Sequence, residues 1–293
     1  MDTQNKIVDI LSRPSNFIKA STAVPVENIR LGFMYHTMMN PYVPFIGAAL
    51  YLSTVAVWEQ ANHRQRQQTM ETGGPTKRVP SRGTSFNRII VAHNLLLAVY
   101  SLWTFVDYFP DVFRAVRSHG LKDGLCDAQS VLWSGKLLEH GFLFYLSKYY
   151  EFIDTAIILA KGRNVGRLQM FHHAGAVLIM WLGNYTQSPY LSFFVFENSL
   201  IHTLMYVYYT LTALGLKPSG KQILTRIQIM QFYIALSGGV CYLALFRCQN
   251  TAQAVFTCVF MAYIVELIRL FTLFARKTYG AGGNSESGKP KTA

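Results

Sequence analysis

Four short runs in this chain set groups capable of acid–base or nucleophilic chemistry inside otherwise apolar sequence. The first is Lys148-Tyr-Tyr-Glu151-Phe-Ile-Asp154-Thr155. Helical spacing of three and four puts Lys148, Glu151 and Thr155 on one face, with Asp154 on the turn beyond Glu151. The second is Gln169-Met-Phe-His172-His173, whose adjacent imidazoles point about 100° apart on a helix and so face different partners. The third holds Asn198, His202, Tyr206 and Tyr209, a continuous stripe at helical spacing. The fourth is Thr225, Gln228, Gln231 and Phe232, again three apart. Imidazole titrates near neutrality and accepts either a proton or an acyl group. Carboxylates can orient it, and amides or phenols can polarise a carbonyl. A structural use competes at each place: charge neutralisation for Lys148 and Glu151, and interhelical hydrogen bonding for Gln228 and Gln231.

Metal chemistry fits this inventory less well. His36, His63 and His119 lie at or outside the apolar blocks, so only His172, His173 and His202 are positioned to converge. Two adjacent histidines also lack the i, i+4 spacing that puts two ligands on one helix face. Neither a metal nor an organic cofactor is therefore expected. The cysteines, four in all, fall outside the polar clusters, which leaves histidine as the candidate nucleophile.

The elements that must hold these groups are membrane helices. Of the 293 residues, 51% are hydrophobic and 14% charged, against roughly 25% charged in an ordinary soluble domain. A soluble or disordered chain is excluded on that ground. The net charge of +12 falls in short clusters between apolar blocks rather than in a nucleic-acid-binding face. About 20 apolar residues cross a hydrocarbon core of about 30 Å. The sequence predicts an all-α polytopic membrane protein with about seven spans, at 38–58, 88–109, 138–160, 168–184, 190–212, 223–245 and 253–275. Charges are costly in a bilayer and seldom idle there. The polar third, fourth and fifth spans are thus where function belongs. A polar stripe in lipid must face a cavity or other helices. The clusters on spans three to six imply a polar chamber open to the cytosol, with spans two to seven enclosing it.

The bias of Lys and Arg orients the chain. Arg64, Arg66, Lys77, Arg78, Arg82 and Arg88 crowd the first connection, and Lys161, Arg163, Arg167, Lys217, Lys221 and Arg226 fall on the same side. That side is read as cytosolic, with residues 1–37 luminal, a helical domain over 38–275 and a disordered cytosolic tail over 276–293. No cleavable signal peptide is expected. The tail ends with Lys289 and Lys291, which look like a dilysine retrieval signal of the endoplasmic reticulum. Asn184-Tyr-Thr186 is a formal glycosylation sequon facing the lumen. Cys126 can pair with Cys248 or Cys241 in that compartment, and spacing does not choose between them.

The same clusters, in this order, resemble the signatures of the ELO family of very-long-chain fatty acid elongases. Lys148, Glu151, Phe152, Asp154 and Thr155 match its Lys-x-x-Glu-Phe-x-Asp-Thr motif; Asn198, His202, Met205, Tyr206, Tyr208 and Tyr209 match its Asn-x-x-x-His-x-x-Met-Tyr-x-Tyr-Tyr; Thr225, Gln228, Gln231 and Phe232 match its Thr-x-x-Gln-x-x-Gln-Phe. One departure stands out. The family's His-x-x-His-His box begins here with Gln169, as in a subset of microbial and algal elongases of polyunsaturated chains. Glutamine can hydrogen-bond but cannot change charge.

The resemblance implies condensation of an acyl-CoA with malonyl-CoA to 3-oxoacyl-CoA, carbon dioxide and CoA, the first step of microsomal elongation. It implies His172 or His202 as the nucleophile forming an acyl-imidazole, with His173, Glu151 and Asp154 orienting imidazoles and Asn198 and Tyr206 as oxyanion donors. Lys148, Gln169, Tyr209, Gln228 and Gln231 are the implied substrate-binding residues, and acyl-CoA, malonyl-CoA and membrane lipid the implied partners. The reductases and dehydratase of the elongation cycle are implied neighbours. The rival readings are a membrane lipid desaturase or hydroxylase, and a seven-helix transporter or receptor.

Overall fold

A computed structural model describes residues 25–71 and 84–280. Lys77, Arg78, Arg82, Lys289 and Lys291, which carry part of the orientation argument and the retrieval signal, lie outside them. The described residues form helices and contain no strand. After short helical turns over Val26–Asn28, Gly32–Met34 and Tyr35–Met38 come α1 (Tyr42–Glu71), α2 (Thr84–Leu125), α3 (Leu137–Tyr150), α4 (Phe152–Ala160), α5 (Arg167–Tyr185), α6 (Pro189–Ala213), α7 (Lys221–Val240) and α8 (Thr251–Tyr279).

Four of these helices are long and apolar enough to cross a membrane: Tyr42–Gln68, Ser85–Leu125, Lys221–Phe246 and Thr251–Tyr279. They correspond to the first, second, sixth and seventh predicted spans. The other three predicted spans are helical but polar. The third is divided at Glu151, a single turn residue between α3 and α4. The fourth, α5, has only 19 residues.

Several boundaries differ from the sequence expectation. α1 begins at Tyr42 rather than 38, because the Asn40 side chain accepts the Tyr42 N–H at 3.0 Å and ends the preceding turn. The 110–137 connection is helical as far as Leu125, and Gly120 bends it through a left-handed φ of 80°. Only glycine takes up that angle without steric cost. α7 passes into a π-helical turn over Cys241–Phe246, which Arg247 closes in the left-handed region. α8 continues to Tyr279, so residues 276–279 are helical where disorder was expected.

α2 packs along α6, and α5 lies against α1, α3 and α8. The main core encloses Phe142, Tyr145, Val177, Tyr190, Phe256 and Phe260 almost fully, and α1 packs through Ala48, Tyr51 and Val55 into a smaller cluster with Leu159, Val165 and Ala174. The outer faces of the helices expose Leu50, Val99, Leu102, Met230, Ile234 and Val265, the surface a lipid-facing helix presents.

The end holding the α2–α3 connection is tightly fastened. Cys126 forms a disulfide with Cys248, joining that connection to the one between α7 and α8. Cys241, the other partner left open by the sequence, is free. Asp127 adopts a positive φ of 50° and accepts the Leu132 and Trp133 N–H groups at 2.7 and 3.0 Å. Burial pushes its carboxyl above the ordinary value, against the pull of those two bonds. Asn184 is 1% exposed and donates to the Gly141 and Met180 carbonyls at 3.0 and 2.8 Å. Its amide is committed inside the fold.

Candidate active site

The break at Glu151 lies at the centre of the polar groups. Lys148, one turn earlier, places its Nζ 2.8 Å from Glu151 Oε1. Both side chains are about 97% enclosed, at 3% and 4% exposure, and the ammonium also lies 3.9 Å from the Phe144 ring centre. Enclosing either charge alone would be prohibitive; as a pair they nearly neutralise each other. His202, from α6, brings Nδ1 to 3.8 Å from the same carboxylate oxygen. Near ion-pair distance, that contact is electrostatic and too long for a hydrogen bond. His172, from α5, completes the group: one donor atom each of Glu151, His172 and His202 lie within 4.8 Å of one another. Glu151 and His202 are buried, whereas His172 is only partly so.

The two adjacent histidines do face different partners. His172 Nδ1 lies 3.1 Å from the Tyr263 hydroxyl of α8, and that hydroxyl is 3.0 Å from the His172 carbonyl. His173 Nε2 accepts the Gln169 amide at 2.7 Å. The same amide nitrogen approaches Thr155 Oγ1 at 3.3 Å, and Thr155 meets the Tyr51 hydroxyl at 2.9 Å. A chain of four neutral groups thus runs from α5 through α4 to α1. Gln169 serves it as a donor and carries no charge.

Asp154 does not orient His172, His173 or His202. One oxygen is 2.9 Å from His93 Nε2, and the other accepts the Tyr206 hydroxyl at 2.7 Å. α2, α4 and α6 therefore meet at one carboxylate. Tyr206 is spent on that contact, which differs from a free oxyanion donor, although its ring stays 5.7 Å from that of His202. Asn198 is buried four residues before His202. Gln228 donates to Met205 Sδ at 3.3 Å. Gln231 is 4% exposed and its Nε2 has no partner. Tyr209 is 40% exposed, and its ring lies 6.1 Å from that of the buried Tyr206.

His93, Tyr51 and Tyr263 did not stand out in the sequence. Each lies in a long apolar helix, and its partner is 61, 104 or 91 residues away. Their only local signal was a titratable or hydroxyl side chain within a span.

The Glu151–His172–His202 group has the donor types of a divalent-cation site. Glu151 Oε1 is already engaged by the Lys148 ammonium, so a metal would have to share or displace that charge. The arrangement is better suited to imidazole chemistry balanced by a fixed ion pair.

Four apolar helices of membrane length, packed with helices that bring imidazoles and a carboxylate together, define a multi-pass membrane protein. Comparison with known proteins narrows this. The chain belongs to the ELO (GNS1/SUR4) family, whose profile matches residues 36–287. It is 27% identical over 257 residues to very long chain fatty acid elongase 5 of Xenopus laevis, covering 83% of this chain and 77% of that protein. To the human elongase 5 it is 26% identical over 263 residues, covering 85% and 78%. Fatty acid elongase sre1 of Dictyostelium discoideum is 31% identical over 152 residues, or 52% of this chain and 57% of the relative. No solved structure matches significantly.

Proposed function

We propose that this protein is a fatty acid elongase that condenses a long-chain, polyunsaturated acyl-CoA with malonyl-CoA to give 3-oxoacyl-CoA, carbon dioxide and CoA. The observation that carries the reading is the partly exposed His172 beside His202 and the buried Lys148–Glu151 pair. An imidazole attacks the thioester carbonyl carbon, the carbon–sulfur bond breaks, and the CoA thiolate leaves and takes a proton from solvent. Malonyl-CoA then loses carbon dioxide. The resulting enolate attacks the acyl-imidazole carbon, and the nitrogen–carbon bond breaks to restore the imidazole.

His172 or His202 is the nucleophile. Lys148 and Glu151 set the field around both, and His173, held by Gln169, packs beside His172 with ring centres 5.3 Å apart. Asn198, buried one turn before His202, would polarise the acyl carbonyl, while Asp154 and Tyr206 brace the site. Tyr209, Gln228 and Gln231 would contact substrate, with the acyl chain in a tunnel among the helices. No metal or organic cofactor takes part, and the elongation-cycle reductases and dehydratase are the expected neighbours.

The membrane concerned is the endoplasmic reticulum, crossed about seven times with the C-terminus cytosolic and the N-terminus luminal. The disulfide supports that orientation, since Cys126 and Cys248 both fall on the side read as luminal and disulfides persist in oxidising compartments.

Microsomes carrying the protein should convert labelled malonyl-CoA and acyl-CoA into 3-oxoacyl-CoA, and polyunsaturated C18 substrates should compete best. Loss of all incorporation in His172→Ala or His202→Ala supports the covalent route; unchanged incorporation in both would exclude it. The donor set favours one second reading, a metal-dependent lipid oxidation at Glu151, His172 and His202. Stoichiometric iron in purified protein together with oxygen consumption would establish that reading instead.

A further inference from the structure

We propose that Tyr263 is a positioning residue that holds the His172 imidazole with its proton on Nδ1 and its lone pair on Nε2. The proposal rests on the elongase reading and adds to it which nitrogen reacts. Two distances carry it. The Tyr263 hydroxyl lies 3.0 Å from the His172 carbonyl oxygen and 3.1 Å from His172 Nδ1. A phenol has one proton to donate, and a carbonyl oxygen can only accept. The hydroxyl therefore gives its proton to the carbonyl, and its oxygen must receive one from Nδ1. A ring nitrogen's hydrogen bond sets the tautomer, so the free electron pair falls on Nε2.

The phenol is itself held in place. Its ring stacks on Phe171, with centres 5.4 Å apart at 25°. Gly175 faces its edge, and a Cβ there would collide with the ring. Tyr263 is 9% exposed and part of the central core. α5 thus supplies both the histidine and the slot for the tyrosine that orients it, and α8 supplies the hydroxyl.

The tautomer has a chemical consequence for both half-reactions. Attack by Nε2 on the thioester carbonyl forms a carbon–nitrogen bond and breaks the carbon–sulfur bond, and the electron pair leaves on CoA thiolate. The adduct keeps its Nδ1 proton on Tyr263 and is an acyl-imidazolium. When the enolate attacks, the departing group is neutral imidazole rather than imidazolate. Without the tyrosine oxygen, Nδ1 has no fixed acceptor and the proton divides between the two nitrogens.

The test uses full-length protein in lipid nanodiscs with 13C,15N-labelled histidine, and His172→Gln to assign the signal. Solid-state NMR should find wild-type His172 in the Nδ1–H form, and Tyr263→Phe should show a mixture of tautomers. An Nε2–H wild-type signal, or an unchanged tautomer in Tyr263→Phe, overturns the proposal. The wild-type spectrum decides the matter even if the variant does not fold. In single turnovers with labelled acyl-CoA alone, Tyr263→Phe should slow CoA release by at least about tenfold while KM for acyl-CoA stays within about twofold, since a correct tautomer is worth up to about 10⁴ in other imidazole sites. Equal acylation in wild type and variant overturns the proposal. If wild type forms neither an acyl adduct nor 3-oxoacyl-CoA, the elongase reading fails instead, and the NMR result still stands on its own.

Discussion

Asp154, partly buried, pairs with the buried His93, with Oδ1 and Nε2 2.9 Å apart, and Tyr206 donates to the other carboxylate oxygen at 2.7 Å. The pair joins α2 to α4, and Tyr206 ties both to α6. Removing either member strands a desolvated partner, a cost of about 1–3 kcal/mol. Asp154→Asn and His93→Gln should each lower the melting temperature of the purified protein and reduce elongation. Because the two residues share one network, the double variant should lose less than the two separate losses together, with a coupling of about 0.5–3 kcal/mol. Simple additivity in a thermal unfolding cycle would mean that the pair is not energetically linked.

That pair also shows how far the sequence could be read. The four long apolar helices followed from apolar run length, because span length is set by the bilayer. Lys148, Glu151, His172 and His202 could be singled out because charges and imidazoles in such runs have few other reasons to be there. Partners could not be assigned from spacing. Helical periodicity placed Asp154 near Glu151 on the same strip, yet its contacts are to α2 and α6, across the bundle. Helix ends were also misjudged where a local device decides them. The Asn40 cap delays α1, and the Gly120 bend lets α2 run on to Leu125. Neither leaves a mark in average hydropathy.

Lys148 and Glu151 give the clearest separation of stability from catalysis. With both groups about 97% enclosed, removing one leaves an uncompensated charge, which in buried pairs costs about 3–5 kcal/mol. Lys148→Met and Glu151→Gln should each unfold readily in detergent. The double variant should recover most of that stability, since no unpaired charge remains, while condensation stays at background. Recovery of activity in the double variant would reduce the pair to a structural role.

The Asn184 sequon offers an early check on the described packing. Its side-chain nitrogen donates to Gly141 and Met180, and a glycan at that nitrogen would have to displace both carbonyls and part of α3. Protein made in a glycosylating host should show no mobility shift on treatment with an endoglycosidase. A shift that Asn184→Gln abolishes would place this residue outside the helix packing. The variant should also be less stable, because the Gly141 and Met180 contacts are tuned to the shorter side chain and Gly141 itself leaves no room beside Asn184 Oδ1.

The Cys126–Cys248 bridge closes a sequence separation of 122 residues. A loop this long loses substantial entropy on closure, and removal of a native bridge typically costs about 2–5 kcal/mol. Cys126→Ser and Cys248→Ser should therefore lower thermal stability by similar amounts, and the double variant should be no worse than either. Thiol labelling tests the pairing directly. Without reductant only Cys241 and Cys258 should react with maleimide after denaturation, as they are the free cysteines; reduction should add two further sites. Done on sealed microsomes, the same labelling tests sidedness. A membrane-impermeant reductant added outside should leave the bridge intact if that end of the bundle faces the lumen, and should open it if the orientation is reversed.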